Sequence, residues 1–353
     1  MKLNRASGFT LVELMVSITL GLIILAAVST VFVNSKRTYS TQDRLARLQE
    51  NARFAMQFLV RDIRMAGYSG CMSDITAVNS SLNNGGFQFI TNDAVEGLEN
   101  ATGNWYPSGV AAIPTSMKTG TDAIAVRLAD PSMNISISKP MPNESAELNV
   151  DSLSGIKTND IIMISDCSSA DVMQITSTQD AALKIQHNGG GNPAIGDPDY
   201  PGNSTQKLSK QYKPPTQIFK FVTRTYFIRN NGNGVPSLYV QENGASAQEL
   251  VEGIEDLQVV YGKDSDATPD GVPNTYLRAG AAGLTTAADW SQVRSIRIGM
   301  LVRTLDNKDA DVDIHSSYDV NGNTFNVPAG DKYQRRVFSS TILVRNHGAV
   351  KIN

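Results

Sequence analysis

One carboxylate stands where carboxylates are expensive. Phe9 to Val33 is an apolar run of 25 residues, and Glu13 is its only charged residue. As a helix the run is long enough to span a hydrocarbon core of ~30 Å. At bilayer depth a carboxylate costs roughly 2.5–3.5 kcal/mol on insertion scales, so a lone one marks function. Glu13 lies one helical turn past Phe9. If the chain is cut between Gly8 and Phe9, a new α-amine appears at Phe9. That amine, on this chain or a neighbour, is the natural countercharge for Glu13.

A second constellation is Asp264-x-Asp266-x-Thr268-x-Asp270-Gly271. Oxygen ligands at alternate positions suit calcium, a hard cation that takes six to eight of them. The glycine is two places late for an EF-hand, and Thr275 stands where the closing glutamate should be, so a solvated turn is the other reading. Asp306, Asp309, Asp311 and Asp313 read as a plain acidic surface loop. Arg335 and Arg336, beside Tyr333, could touch DNA, but two arginines next to a strand are ordinarily solvated or salt-bridged. Trp105 and Tyr106 read as a satellite core cluster. His187, His315 and His347 have no ligand spacing, and no Gly-x-Ser-x-Gly elbow, His-Glu-x-x-His or Cys-x-x-Cys occurs. Nothing in the chain therefore points to an enzyme.

The elements that hold these residues can be read in order. Past Val33, Leu45, Leu48, Ala52, Ala55, Leu59 and Ile63 recur at three- and four-residue spacing, a stripe for docking on something else. Arg44, Arg47, Glu50, Arg53, Arg61 and Asp62 are expected mainly on other faces. No proline interrupts Phe9 to Ala66, so one helix of about 87 Å is expected, with Gly21 its weak point and Gly67 and Gly70 its stop. Residues 73–121 read as loops with short strands. Strands are expected at Thr121–Leu128, at Ile161–Ile164 and Val172–Thr176 (a hairpin with Cys167 in its connection), and over Ile218–Ile228 and Leu238–Gln241. Others follow near Leu250–Tyr261, Val293–Arg303 and Val337–Val344. In Val293–Arg303 the residues Ile296, Ile298, Met300 and Val302 share one face. Residues 187–203, rich in glycine, read as a flexible loop. A long helix followed by a mainly antiparallel sheet is an α+β plan.

The 353 residues suffice for a real core. The precursor carries 31 basic and 34 acidic residues, and losing Lys2 and Arg5 with the leader leaves 29 against 34, a net charge of −5. That balance excludes a bulk nucleic-acid binder. Lys36 and Arg37 follow the apolar run just as Lys2 and Arg5 precede it, so charge alone does not orient the span.

The leader charges, Gly8, Phe9, Glu13 and the Leu14–Val33 apolar stem, all in register, resemble the type III signal of type IV pilins and type II secretion pseudopilins. Arg64-Met-Ala-Gly-Tyr-Ser-Gly-Cys71, Glu252-Gly-Ile-Glu-Asp-Leu-Gln258, the acidic turn after Tyr261, Trp290 and Arg335-Arg-Val-Phe338 resemble PilW-type minor pilins. The J-type minor pseudopilin shares the architecture but is usually much shorter. The likeness runs in patches over nearly the whole chain and is weak over about 73–215, which reads as an insertion.

The resemblance implies a pilin-like fold. Residues 1–8 would be a cleaved leader, 9–33 a transmembrane and assembly half-helix, 34–66 its amphipathic half, and 67–353 a β-rich head. It implies cleavage between Gly8 and Phe9 by a cytoplasm-facing prepilin peptidase, with N-methylation of Phe9. It places the head in the periplasm and later on the surface pilus. There Cys71 and Cys167 would pair, two buried free thiols being the alternative. The expected role is a minor pilin that primes type IV pilus assembly and sits at or near the tip. Its partners would be other minor pilins, the major pilin, the inner-membrane platform and a tip adhesin. A secretion pseudopilin and a ligand-binding adhesin or DNA-uptake subunit are the rival readings.

Overall fold

A computed structural model describes residues 10–72, 78–83, 94–101, 104–107, 114–190, 201–307 and 312–346. One unbroken helix, α1 (Leu11–Met65, 55 residues), opens the chain. At 1.5 Å per residue it is about 83 Å long. Thr10 caps it, and Gly67 and Gly70 turn the chain away at φ +73° and +72°. Neither glycine has room for a side chain: a Cβ would lie 2.5 Å from the Asn346 carbonyl oxygen at Gly67, and 2.7 Å from the Phe219 ring at Gly70.

The chain then runs through β1 (Val78–Ser80), β2 (Val95–Leu98), β3 (Ala123–Ser136), β4 (Leu148–Asn149), β5 (Ile161–Ser165) and β6 (Ala170–Gln174). Next come β7 (Ser177–Gln179), β8 (Lys184–Gln186), β9 (Gln217–Asn230), β10 (Pro236–Glu242), β11 (Gln248–Glu252) and β12 (Ile254–Lys263). The last elements are β13 (Thr275–Leu277), the short α2 (Ala287–Trp290), β14 (Val293–Arg303), β15 (Ser317–Val320), β16 (Asn323–Asn326) and β17 (Arg335–Leu343).

These strands form two main sheets. In the eight-stranded sheet β9 is the hub. One edge of β9 runs along β3. The other is shared, β5 pairing near its start (Ile162 opposite Lys220) and β10 nearer its end (Val240 opposite Tyr226). Asn243 closes the fork between β5 and β10. Its side-chain oxygen accepts the Thr223 N–H at 2.8 Å, and its own N–H reaches the Thr223 carbonyl at 2.8 Å. Every pairing in this sheet is antiparallel except β1 on β6. The second sheet, β13-β12-β14-β17, is wholly antiparallel.

The main core lies where α1 meets both sheets. Leu48, Ala52, Ala55, Leu59 and Ile63 pack with Val126, Leu128 and Val222 of the first sheet and with Ile296, Ile298 and Met300 of β14. The expected shared face of β14 is therefore the face turned to the core. A separate apolar core, including Ile137, Leu148, Ile164, Ile185 and Tyr212, fills the region between residues 135 and 218, where β4, β8 and β7 make a small sheet.

Candidate functional site

Among the described residues, none buries the half of α1 that carries Glu13. Every described residue from Thr10 to Ser40 is exposed. Fifteen large apolar side chains between Leu11 and Val33 face outward, Leu11 at 74% exposure and Phe32 at 70%. Each would contribute roughly 1.5–3 kcal/mol on burial, so on the order of 20–40 kcal/mol awaits a lipid or protein environment. Glu13 stands at the start of this surface. The Thr10 hydroxyl accepts the Glu13 N–H at 3.3 Å, while the Glu13 carboxylate takes the Thr10 N–H at 3.4 Å. This is a reciprocal capping box, and it satisfies two otherwise orphaned donors of a helix end. The Thr-x-x-Glu spacing could have announced it from sequence. Gly8 and Phe9 lie outside the described residues.

The other half of α1 is built into the head, and here Asp62 departs from expectation. The pattern expects it on a face other than the docking stripe, yet it is 3% exposed. Its position three residues after Leu59 puts it on the docking stripe, and a carboxylate there requires buried partners. Tyr226 donates to it at 2.6 Å and Arg224 Nη1 at 3.1 Å. Arg224 also holds Asp130 at 2.9 Å and Glu242 at 3.1 Å. These carboxylates offset the burial that would lower the Arg224 pKa and hold it above its ordinary value. Burial and the Asp62 charge push the Tyr226 phenol up in turn.

Six residues past the end of α1, Cys71 is disulfide-bonded to Cys167, with Cα atoms 4.9 Å apart. The bond ties the helix exit to the β5–β6 turn and closes a loop of 96 residues. Such a cross-link stabilises by about 4.7 kcal/mol in the chain-entropy model.

Asp264, Asp266 and Asp270 do converge, with ligand atoms within 4.8 Å of one another. Asp264 is the buried member, and its oxygens serve the turn itself. One accepts the Gly271 N–H at 2.8 Å, with Arg294 3.9 Å away, and the other meets the Asp266 N–H at 3.4 Å. Asn274 donates to Asp266 at 3.2 Å. With one oxygen from each, the three carboxylates supply fewer than the six to eight that calcium takes, so second carboxylate oxygens, carbonyls or water would have to complete the set.

Several of the remaining residues singled out above serve the head's structure. Arg335 is buried against Glu255 (2.6 Å), Asp331 (2.6 Å) and Asp313 (3.4 Å), which leaves its guanidinium no free edge for a phosphate. Asp313, expected in a plain surface loop, is thus part of a buried ion cluster. Asp309 and Asp311 lie outside the described residues. Tyr333 stacks under Arg303 at 4.1 Å. Trp105 is 2% exposed in a satellite core with Leu98, Phe227 and Tyr239. His187 is buried, its Nε2 3.0 Å from the Ala146 carbonyl, and burial lowers its pKa.

An exposed apolar half-helix with a lone glutamate, long and apolar enough to cross a membrane and continuous with a half that packs on an antiparallel head, fits a membrane-anchored type IV pilin-like protein. Family models agree with that architecture. Residues 3–29 match the prokaryotic N-terminal methylation motif. Residues 225–346, from within β9 to the end of the described chain, match type IV pilus-assembly protein W, so this part of the chain is similar to that family. A search of the curated proteins finds no match. Among solved structures, the type IV-like pilin TTHA1219 from Thermus thermophilus aligns over 85% of this chain and 98% of its own, at 10% identity and a TM-score of 0.32.

Proposed function

We propose that this chain is a minor pilin that primes type IV pilus assembly and sits at or near the filament tip. The observation that carries the reading is the division of α1. One half is wholly exposed and apolar, the other is docked in a large head, and no break separates them. A prepilin peptidase would cut between Gly8 and Phe9, Phe9 would be N-methylated, and the stem would hold the chain in the inner membrane with the head in the periplasm. In the filament, stems bundle side by side. Glu13 then leaves its capping contacts for the Phe9 amine of a neighbour. A charge left unpaired in that dry bundle is costly, so the pair sets the axial register.

A head of this size is hard to repeat along a slender filament, which favours the tip. The partners would be other minor pilins, the major pilin, the assembly platform and a tip adhesin. A calcium ion at Asp264, Asp266 and Asp270 would be a local addition to the head, favoured by the convergence of the three carboxylates. The decisive experiment is surface pilus yield, by shearing and immunoblot for the major pilin, in a strain lacking only this chain. A large loss restored by the wild-type gene is expected. Normal yield would remove the priming role and favour a secretion pseudopilin or a ligand-binding subunit. Glu13→Ala is expected to abolish incorporation, and normal incorporation would end the charge-pair account.

A further inference from the structure

The outer half of α1 and the head carry opposite charge. Of the 31 basic residues, two lie in the leader and seven in residues 34–66, leaving 22 for residues 67–353. Of the 34 acidic residues, one is Glu13 and three lie in residues 34–66, leaving 30. The docked half of the helix is thus +4 and the head −8. On that half, Arg53, Gln57, Arg61 and Arg64 recur at four, four and three residues, a ridge on the side of α1 away from the core.

At the top of this ridge a groove of about 540 Å³ opens between the last turns of α1 and the segment after β17. Arg61, Arg64 and Arg345 line it, over apolar side chains of Val60, Met65 and Tyr68. Arg61 has a contact to Asp62 at 3.5 Å. Arg64 and Arg345 have no carboxylate partner among the described residues. Because α1 is one unbroken helix with the head packed on one side of its outer half, the other side would face whatever the stems bundle against. Arginines turned toward a neighbour and left unpaired there would be costly, so the neighbour must bring carboxylates.

We propose that this groove receives an acidic segment of an adjacent, different pilin-type subunit. Carboxylates of that segment would bind Arg64, Arg345 and Arg61, and an apolar side chain would rest on Met65 and Tyr68. Guanidinium groups suit this task because they bind carboxylates bidentately. A long polyanion such as DNA fits less well, since the −8 head around the groove repels it. A second copy of this chain would bring its own arginine ridge to the same level.

The inference rests on the pilin reading, and its test keeps the two apart. A photo-crosslinking benzoylphenylalanine is placed at Gln57, inside the groove, in the full-length chain in its native strain, and adducts are mapped by mass spectrometry. The expected adduct lies in an acidic segment of another pilin-type subunit. It should fall at least about tenfold in the Arg64→Glu, Arg345→Glu double variant, persist in the Arg64→Lys, Arg345→Lys variant, and return when the crosslinked carboxylate is changed to Lys in the Glu variant. The Cys71–Cys167 disulfide on non-reducing gels reports that each variant has folded. An adduct to nucleic acid or to a second copy, no adduct, or an adduct indifferent to charge reversal would overturn the inference. The pilin reading fails separately, by normal pilus yield when the whole chain is deleted.

Discussion

Replacing Asp62 should loosen the helix from the head by an amount that can be worked out. In Asp62→Ala, Arg224 loses one of three carboxylates but keeps Asp130 and Glu242. The full 3–5 kcal/mol for stranding a buried charge therefore does not apply. Two terms remain. A hydrogen bond to a charged group is worth roughly 1.5–3 kcal/mol, and the abandoned Tyr226 hydroxyl, buried and 2.6 Å from Asp62 in the native fold, costs roughly 1–3 kcal/mol. About 3 kcal/mol is expected, a drop in Tm of roughly 4–6 °C if the head unfolds as one unit. Urea and thermal unfolding of the detergent-solubilised chain measure it. Removing the orphaned hydroxyl as well, in Asp62→Ala with Tyr226→Phe, should return about 1–2 kcal/mol, because an unsatisfied buried donor costs more than an absent one. A stability within about 0.5 kcal/mol of wild type, the scatter of ordinary surface substitutions, would refute the reasoning.

Cys71→Ser with Cys167→Ser should cost about 4–5 kcal/mol, read as a lower urea midpoint that reducing agent does not shift further. Asp122 supplies a pH dependence. Burial and the neighbouring Glu99 raise its pKa to about 7, against the pull of the Asn100 and Val259 N–H groups on its oxygens. The folded state therefore holds a proton that the unfolded chain releases near pH 4. Stability from this group is lost as pH rises from about 4 to about 7, by up to about 4 kcal/mol. In Asp122→Asn that part of the slope should vanish, and an unchanged slope would rule the assignment out. Calcium titration of the full-length chain should show binding in the range of about 10⁻⁴–10⁻³ M typical of extracellular modules, lost in Asp266→Ala with Asp270→Ala. No heat at millimolar calcium would withdraw the site.

Much of this molecule can be read from local pattern. The stem and its end glycines, the stripe from Leu48 to Ile63, and the β14 face of Ile296, Ile298, Met300 and Val302 all follow from spacing, because each is a periodic element with one buried side. Where local signals compete, reading falls short. The expected strand over Thr121–Leu128 continues as β3 to Ser136, the register shifting between Asp130 and Ile135 around Pro131. Proline has no N–H to give the ladder, so the sheet accommodates it as an irregularity instead of ending there. Strands β4, β7 and β8 have two or three residues each, too few to show a period.

Charge is the other limit, since its meaning depends on distant partners. Arg335 and Glu255 are 80 residues apart in the chain, and Asp62 and Arg224 are 162 apart. A run of polar residues in the sequence does not say which of them will be inside. The same dependence bears on the stem. Glu13 is satisfied within its own chain by Thr10, so the proposed pairing with a neighbour would have to displace a capping box worth about 1 kcal/mol. The exposed apolar stem has more than enough burial energy to drive that exchange. Bundling would therefore supply the affinity, while on the proposed reading Glu13 would select among axial positions that the apolar surface alone does not distinguish.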